Sequence, residues 1–363
     1  MAYGTAVYQS NGTTPLVNQS LAGGTLYVAT ITQSSGTSQT YTYPDVPGGS
    51  NLIVLLIYAG GHDYTTGTNG SGQATVTFTW NSSKNGGYTY AYIFAKNTTE
   101  PNYGIAVIND AGERLVSTVF PVPEYLGKVT TTYQGVGSQG ESIFSATTSI
   151  GSGTNRLILW SIPDTDYQYY SGGGYLPSSI TGTTYVSCDY RVDIPSWYAA
   201  GSPAVNNTAP VAYIFGLDTL TASSDTYGIR VRNGSNIMFD SGKQHLSLLK
   251  AIPYTLDSFY GTGAESSFSA TGISGKTTAL MLPSLTFQGL LSSGPYPFQD
   301  PYGNWYSVYV DTIYHAGVRK KGNNFYSLFL PYNPNTGSDT PHDYYNGQDS
   351  GLYSIVTDAT YYT

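Results

Sequence analysis

With 363 residues the chain is long enough for two or three domains with cores of their own, and its single cysteine, Cys188, excludes an internal disulfide framework. Charged residues make up 10% of it, and the formal net charge of -8 argues against capture of a phosphate backbone by general electrostatic attraction. The longest apolar run, Leu52 to Ile57, falls far short of the roughly 20 residues needed to cross a bilayer, and no basic, apolar leader precedes the first strand, so neither secretory signal nor membrane anchor is expected. The composition points to β structure: 36 Tyr and many Thr favour pleated surfaces, and 43 Gly with 19 Pro supply turns.

In chain order, Tyr3-Gly-Thr-Ala-Val-Tyr-Gln-Ser-Asn-Gly12 reads as a short strand running into a turn. Strands follow at 25–31 and 39–44. The aliphatic run Leu52 to Ile57 fits a strand covered on both faces, being too short for a helix. Thr75-Val-Thr-Phe-Thr-Trp80 alternates with period two, which places Val76, Phe78 and Trp80 on one face, and 88–94 closes the unit. The opening phrase returns as Tyr103-Gly-Ile-Ala-Val-Ile-Asn-Asp-Ala-Gly112, followed by strands at 140–147, 156–160 and 210–215, the last repeating Ala91-Tyr-Ile-Phe94 as Ala212-Tyr-Ile-Phe215. It returns again as Tyr227-Gly-Ile-Arg-Val-Arg-Asn-Gly234, followed by 264–271, 279–282 and a closing strand placed at Asn324 to Phe329, with Gly351 to Asp358 as a worn fourth copy of the phrase.

The spacing shows that these are copies. Tyr227 lies 124 residues after Tyr103, and Glu265 lies 124 after Glu141, so the second and third units hold register over a long stretch. The first unit is shorter, its deficit falling where the others carry long connections, the places where insertions and binding gather. A repeat this long is neither solenoid nor propeller blade. The expected fold is all-β: three tandem antiparallel β-sandwich domains, Ig-like or jelly-roll-like, over 1–102, 103–226 and 227–363.

Chemistry is sparse in this pattern. Asp164 and Asp166, with Asp189, Asp193, Asp300 and Asp311 in the long connections, could furnish the paired carboxylates of glycoside chemistry or oxygens for calcium, but Asp in turns is explained more simply by bonds to nearby amides. Glu141 and Glu265 occupy one place in two units, which suits charges guarding strand edges. His62, His245, His315 and His342 show no metal-ligand spacing; His62-Asp63 and His342-Asp343 are possible acid-base pairs without a nucleophile in a diagnostic setting. Gly172-Gly-Gly174 lacks the setting of a phosphate cradle. No catalytic residue, metal ligand or cofactor is therefore assigned. The candidate binding residues are aromatics in the long connections, able to stack on sugars or anchor an interface: Tyr167, Tyr169, Tyr170 and Tyr175, then Tyr296, Phe298, Tyr302, Trp305 and Tyr306.

The phrase from Tyr103 to Leu115, and more sharply Tyr227-Gly-Ile-Arg-Val-Arg-Asn-Gly-Ser-Asn-Ile-Met-Phe-Asp-Ser241, resembles a segment recurrent in small tail-associated virion proteins of tailed bacteriophages. Their pattern is roughly Tyr-Gly-Leu-x-Val-x-Asn-x-x-Gly-x-x-x-Phe-Asp-Ser followed by a leucine-bearing strand, a place taken here by Leu246, Leu248 and Leu249. The likeness covers some 20 residues per unit, and Leu115-Val-Ser-Thr118 departs from it. It implies a non-enzymatic virion structural protein, assembled in the host cytoplasm, at the tail tip or on a fibre, with outer loops reaching the host surface. Capsid decoration and glycan binding or degradation are the alternatives. The expected partners are other virion proteins, with a host glycan or receptor and self-association as further ones; nucleic acid and membrane insertion are not expected.

Overall fold

Alternating and continuous apolar runs become two kinds of strand in this chain, half-covered and fully covered. The structure, a computed structural model, describes residues 26–58, 61–82, 88–99, 107–108, 114–136, 142–151, 155–164, 168–170, 184–191, 209–218, 220–225, 228–254, 266–269, 275–282, 286–290, 296–299, 305–322, 324–338 and 352–362. The opening phrase at Tyr3 lies outside them.

The first six strands are β1 (Leu26–Gln33), β2 (Gln39–Pro47), β3 (Leu52–Tyr58), β4 (His62–Thr68), β5 (Gln73–Trp80) and β6 (Thr89–Ala95). They form two three-stranded antiparallel sheets, ordered β1-β6-β3 and β2-β5-β4. Along β5 the period-two pattern buries Ala74, Val76 and Phe78, while Trp80 is only half-buried. The aliphatic β3 is covered on both faces. Leu52, Val54 and Leu56 pack with Tyr43, Val46, Val76 and Phe78 of the β2-β5-β4 sheet, and Ile53 and Leu55 pack with Tyr90, Tyr92 and Phe94 in a separate cluster. Where β2 turns into β3, Gly49 lies so close to the Gly67 backbone that a Cβ would collide with it.

The same order recurs twice. A small hairpin, β7 (Val107–Ile108) and β8 (Arg114–Val116), leads into β9 (Glu124–Thr130), β10 (Thr132–Val136), β11 (Ser142–Thr148), β12 (Arg156–Ser161), β13 (Gln168–Tyr170), β14 (Thr184–Arg191) and β15 (Val211–Gly216). Here β9-β15-β12 repeats β1-β6-β3 and β11-β14-β13 repeats β2-β5-β4. A second hairpin, β16 (Arg230–Asn233) and β17 (Asn236–Asp240), leads into β18 (Leu248–Tyr254), β19 (Ser266–Ser269), β20 (Thr278–Leu280), β21 (Thr286–Leu290), β22 (Tyr296–Gln299), β23 (Trp305–Lys321), β24 (Asn324–Ser338) and β25 (Leu352–Asp358). The matching sheets are β18-β25-β20 and β19-β24-β23, with β21 and β22 added along β23.

Registers coincide as well as orders. In the three central strands Phe94, Phe215 and Thr357 face Ile53, Leu157 and Ala279 on one side, and Tyr27, Tyr125 and Leu248 on the other. This register corrects one reading of the sequence: the closing strand of the third set is β25, while Asn324 opens β24, which pairs with β19 and β23 in the place of β5. Ser354-Ile-Val-Thr357 occupies the position of Ala-Tyr-Ile-Phe. Its aromatics are gone, and a Phe-Tyr pair in β24 imitates them.

The sets do not stand apart. β12 meets β20 with Trp160 opposite Leu280, and β13 meets β23 with Tyr169 opposite Val318, so the second and third sets share both of their sheets. The outer faces of the inner sheets of all three sets meet in one cluster holding Leu55 and Tyr92, Leu159 and Tyr213, and Met281 and Ile355. Within it the Tyr92 hydroxyl donates to the Arg156 carbonyl at 2.7 Å. Near the chain end Tyr362 stacks on Tyr125 with centroids 4.8 Å apart and meets Phe215 edge-on at 5.2 Å.

Leu159 is fully buried in this shared cluster, so Leu159→Ala is expected to remove roughly 2–5 kcal/mol. Urea denaturation would show it as a lower midpoint at unchanged slope, reported equally by probes in all three sets.

Candidate functional site

The functional groups that the fold draws together lie where one set of strands is handed on to the next. The first hairpin docks on the segment after β6, and the second on the segment after β15 and on the one before β9. In the first, the Arg114 N–H donates to the Lys96 carbonyl at 3.0 Å and its Nε to the Thr98 carbonyl at 3.1 Å. In the second, the Val122 N–H donates to Met238 at 2.9 Å, and the lead-in segment of the third set lies beside that of the second, Tyr125 N–H to Gln244 and Leu246 N–H to Pro123, both at 2.8 Å.

Five ionisable groups sit at that second junction: Glu124 with Lys243, Asp240 with Arg230, and His245. Glu124 is almost fully buried; it accepts the Thr221 N–H at 3.0 Å and hydroxyl at 3.1 Å, and pairs with Lys243 Nζ at 3.2 Å. Asp240, at the end of β17, accepts the Ser223 N–H at 2.9 Å and hydroxyl at 2.8 Å, the Gly242 N–H at 2.9 Å and Arg230 Nε at 2.6 Å. Burial alone would raise its carboxyl, but these donors outweigh it and hold the pKa at about 2. His245 stacks on Phe239, centroids 4.6 Å apart, with Nε2 2.8 Å from the Asp240 carbonyl and Nδ1 3.2 Å from that of Val122. Burial lowers its pKa below the ordinary value, and the neutral ring has one N–H to give to two carbonyls.

In these arrangements each buried charge is held by several hydrogen-bond donors or a counter-charge. A carboxylate that holds four donors and stays ionised down to a pH of about 2 is a poor proton shuttle near neutrality. The residues singled out in the sequence are dispersed. His62 bonds Thr89 Oγ1 and the Thr37 carbonyl, both at 2.9 Å, while Asp63 accepts from Asn81 Nδ2 at 3.1 Å. Adjacent strand residues point to opposite faces, which separates the acid from the base. Asp164 is exposed, bridges to Lys320 through its backbone and accepts the Gly322 N–H at 2.8 Å. Asp189 and Asp311 are in strands β14 and β23, not in loops. Asp166, Asp193, Asp300, Glu141, Glu265, His342 and the Gly172 run lie outside the described residues.

The aromatic candidates belong largely to strands. Tyr169 is fully buried at the join with β23, which withholds its ring from an outside ligand, and Tyr170 follows it in β13. Tyr296 and Phe298 lie in β22, opposite Val308 and Tyr306 of β23, and Trp305 opens β23 opposite Gln299. Tyr167, Tyr175 and Tyr302 lie outside the described residues. The Glu124, Asp240, Lys243 and His245 junction went unread because its partners are far apart in sequence; the Phe-Asp-Ser ending at Ser241 was its one visible trace.

Among the described residues no three His, Cys, Asp or Glu stand close enough together to hold a metal ion, and no helix is long and apolar enough to cross a membrane. Comparison with protein-family models, curated proteins and solved structures finds no match to this chain.

Two outcomes test the junction. Asp240→Ala should cost roughly 1.5–3 kcal/mol, the range for charged hydrogen bonds; the stability Asp240 supplies is present above its unfolded pKa of 3.8 and is lost as pH falls toward 2. His245 acts at higher pH. Its folded pKa is depressed, so the unfolded chain takes the proton first, and stability falls as pH drops below 6.5. A urea series from pH 7.5 to 5.5 should show a shallower decline for His245→Gln than for the native chain.

Proposed function

We propose that this chain is a structural component of a tailed-phage particle, built from three jelly-roll-like β-sandwich repeats and placed at the tail tip or on a fibre. The strand orders β1-β6-β3 and β2-β5-β4, repeated twice more, are those produced when a six-stranded ribbon rolls its paired strands alternately into two facing sheets. The observation that carries the reading is the use made of buried polar groups. Glu124, Asp240, His245 and the Tyr92 hydroxyl all tie one repeat to the next or fasten the hairpin between them. Such a chain is suited to presenting fixed surfaces to neighbours. The likeness of its hairpins to tail-associated virion proteins supplies the setting.

On this reading the chain performs no catalysis. It is assembled in the host cytoplasm, remains in the virion and contacts other virion proteins, with the aromatic-rich β22 and β23 region as the candidate surface for a host glycan or receptor. Capsid decoration differs from the tail reading in position and in copy number.

Quantitative mass spectrometry of purified particles, with antibody labelling under the electron microscope, tests the proposal. A small fixed number of copies with label at the tail tip or fibres supports it. Label spread over the head favours decoration, and absence of the chain from particles overturns the virion reading altogether.

A further inference from the structure

The tripeptide Asn-Gly-Ser occurs twice among the described residues, as Asn69-Gly-Ser71 between β4 and β5 and as Asn233-Gly-Ser235 between β16 and β17. An asparagine followed by glycine is open to attack by the next backbone nitrogen on its own side chain, because glycine brings no Cβ to crowd the five-membered ring that forms. With the same three residues at both places, a difference in reactivity belongs to the fold.

At Asn69 the fold holds the side chain. Its Oδ1 accepts the Ser71 N–H and the Gln73 N–H, both at 3.0 Å, and its Nδ2 donates to Gln73 Oε1 at 2.9 Å. The backbone is closed as well, with the Asn69 N–H donating to the Gln73 carbonyl and the Gly72 N–H to the Asn69 carbonyl, both at 2.9 Å. Asparagine in a turn favours such bonds to the residues that follow it. Swinging the carboxamide back to the Gly70 nitrogen would break all three side-chain bonds.

Asn233 is not held in this way. It faces Asn236 as the last pair of β16 and β17. Gly234 and Ser235 make the two-residue turn, Gly234 with φ 59° and Ser235 with negative φ, which is the II′ form with glycine first. All four residues are exposed. Among the described residues neither the Asn233 carboxamide nor the Gly234 N–H has a hydrogen-bond partner, and a Cβ built on Gly234 would meet nothing within 4 Å. The extended backbone of Asn233 keeps its side chain from the Gly234 nitrogen, so the tip must turn before the two meet. Little resists this: the ladder is irregular between Val231 and Arg232, and the bond from Arg232 Nη1 to the Ser235 carbonyl is long, at 3.3 Å. Further in, buried Val231, Met238 and Phe239 and the Arg230–Asp240 pair at 2.6 Å confine the opening to the tip.

We propose that Asn233 is a site of spontaneous deamidation. Solvent base takes the Gly234 amide proton, and the nitrogen attacks Asn233 Cγ. As that bond forms, the bond from Cγ to Nδ2 breaks; ammonia leaves, taking back the proton, and a cyclic imide joins the two residues. Water then opens the imide at either carbonyl, which gives aspartate or, where the chain comes to run through the side-chain carbon, isoaspartate. One water is consumed and one ammonia released, with no change of oxidation state. The product places a carboxylate beside Arg232, on the hairpin whose base fastens the second junction.

Peptide mapping by mass spectrometry of the full chain, aged in mildly alkaline buffer, tests the proposal. Asn233 should gain about one dalton, with aspartate and isoaspartate as separable products, at a rate about tenfold or more above that of Asn69. The two rates should converge when the chain is aged in concentrated urea, which frees both tripeptides. Equal rates in the folded chain, or a slower Asn233, overturn the proposal. So does a difference that persists in urea, since it would then come from flanking sequence and not from the fold. Asn233→Gln should keep the native melting temperature and lose the gain in that peptide; an unchanged gain there would place the reaction at another residue and contradict the assignment.

Discussion

The constraint on which the molecule depends is that the central strands of its inner sheets bury side chains on both faces. β3, β6 and their equivalents are largely apolar on both sides, with Thr89, Arg156, Thr278, Thr357 and Asp358 as buried polar exceptions among the described residues. One side is satisfied by the sheet facing it within the same set, while the other, bearing Leu55, Tyr92, Leu159, Tyr213, Met281 and Ile355, is satisfied only by the other two sets. At roughly 1.5–3 kcal/mol for each large apolar side chain taken out of water, the shared cluster is a major source of stability, and no single set can form it alone. The repeats are therefore parts of one cooperative body in which each completes the burial of the others.

Polar chemistry at the boundaries follows from that burial. Bringing three sets together encloses backbone groups and side chains at the handover points, and an enclosed polar group without a partner is costly. The hairpins answer this need. Arg114 covers the carbonyls that follow β6, and Asp240 gathers the amide and hydroxyl of Ser223 with the Arg230 guanidinium. Glu124, drawn inside by its place at the head of β9, is met by Thr221 and Lys243. These groups fasten one set of strands to the next.

Much of the local structure was legible in the sequence, because it rests on periodicity. The six-residue aliphatic run demanded a strand covered twice, and β3 is one; alternation in β5 named its buried face, with Trp80 left only half covered. Constant spacing between copies marked repeated series of strands, though not the order in which they pair. The failures came where identity stood in for burial. The closing strand of the third set lost its aromatics, so resemblance pointed to β24, whereas apolar Ile355 and Val356 carry the real signal. Long connections were read as loops, yet Asp189, Asp311, Tyr169, Tyr296 and Trp305 stand in strands that extend or join sheets. Contacts such as His245 to Val122, 123 residues apart, have no local pattern to betray them.

The central claim is that the three sets share one core. Differential scanning calorimetry on the full chain tests it most directly, by comparing the calorimetric enthalpy with the van't Hoff enthalpy of the transition. A shared core predicts one transition with the two enthalpies equal for the chain as a whole. Three resolvable transitions, each with the enthalpy of about a third of the chain, would contradict it.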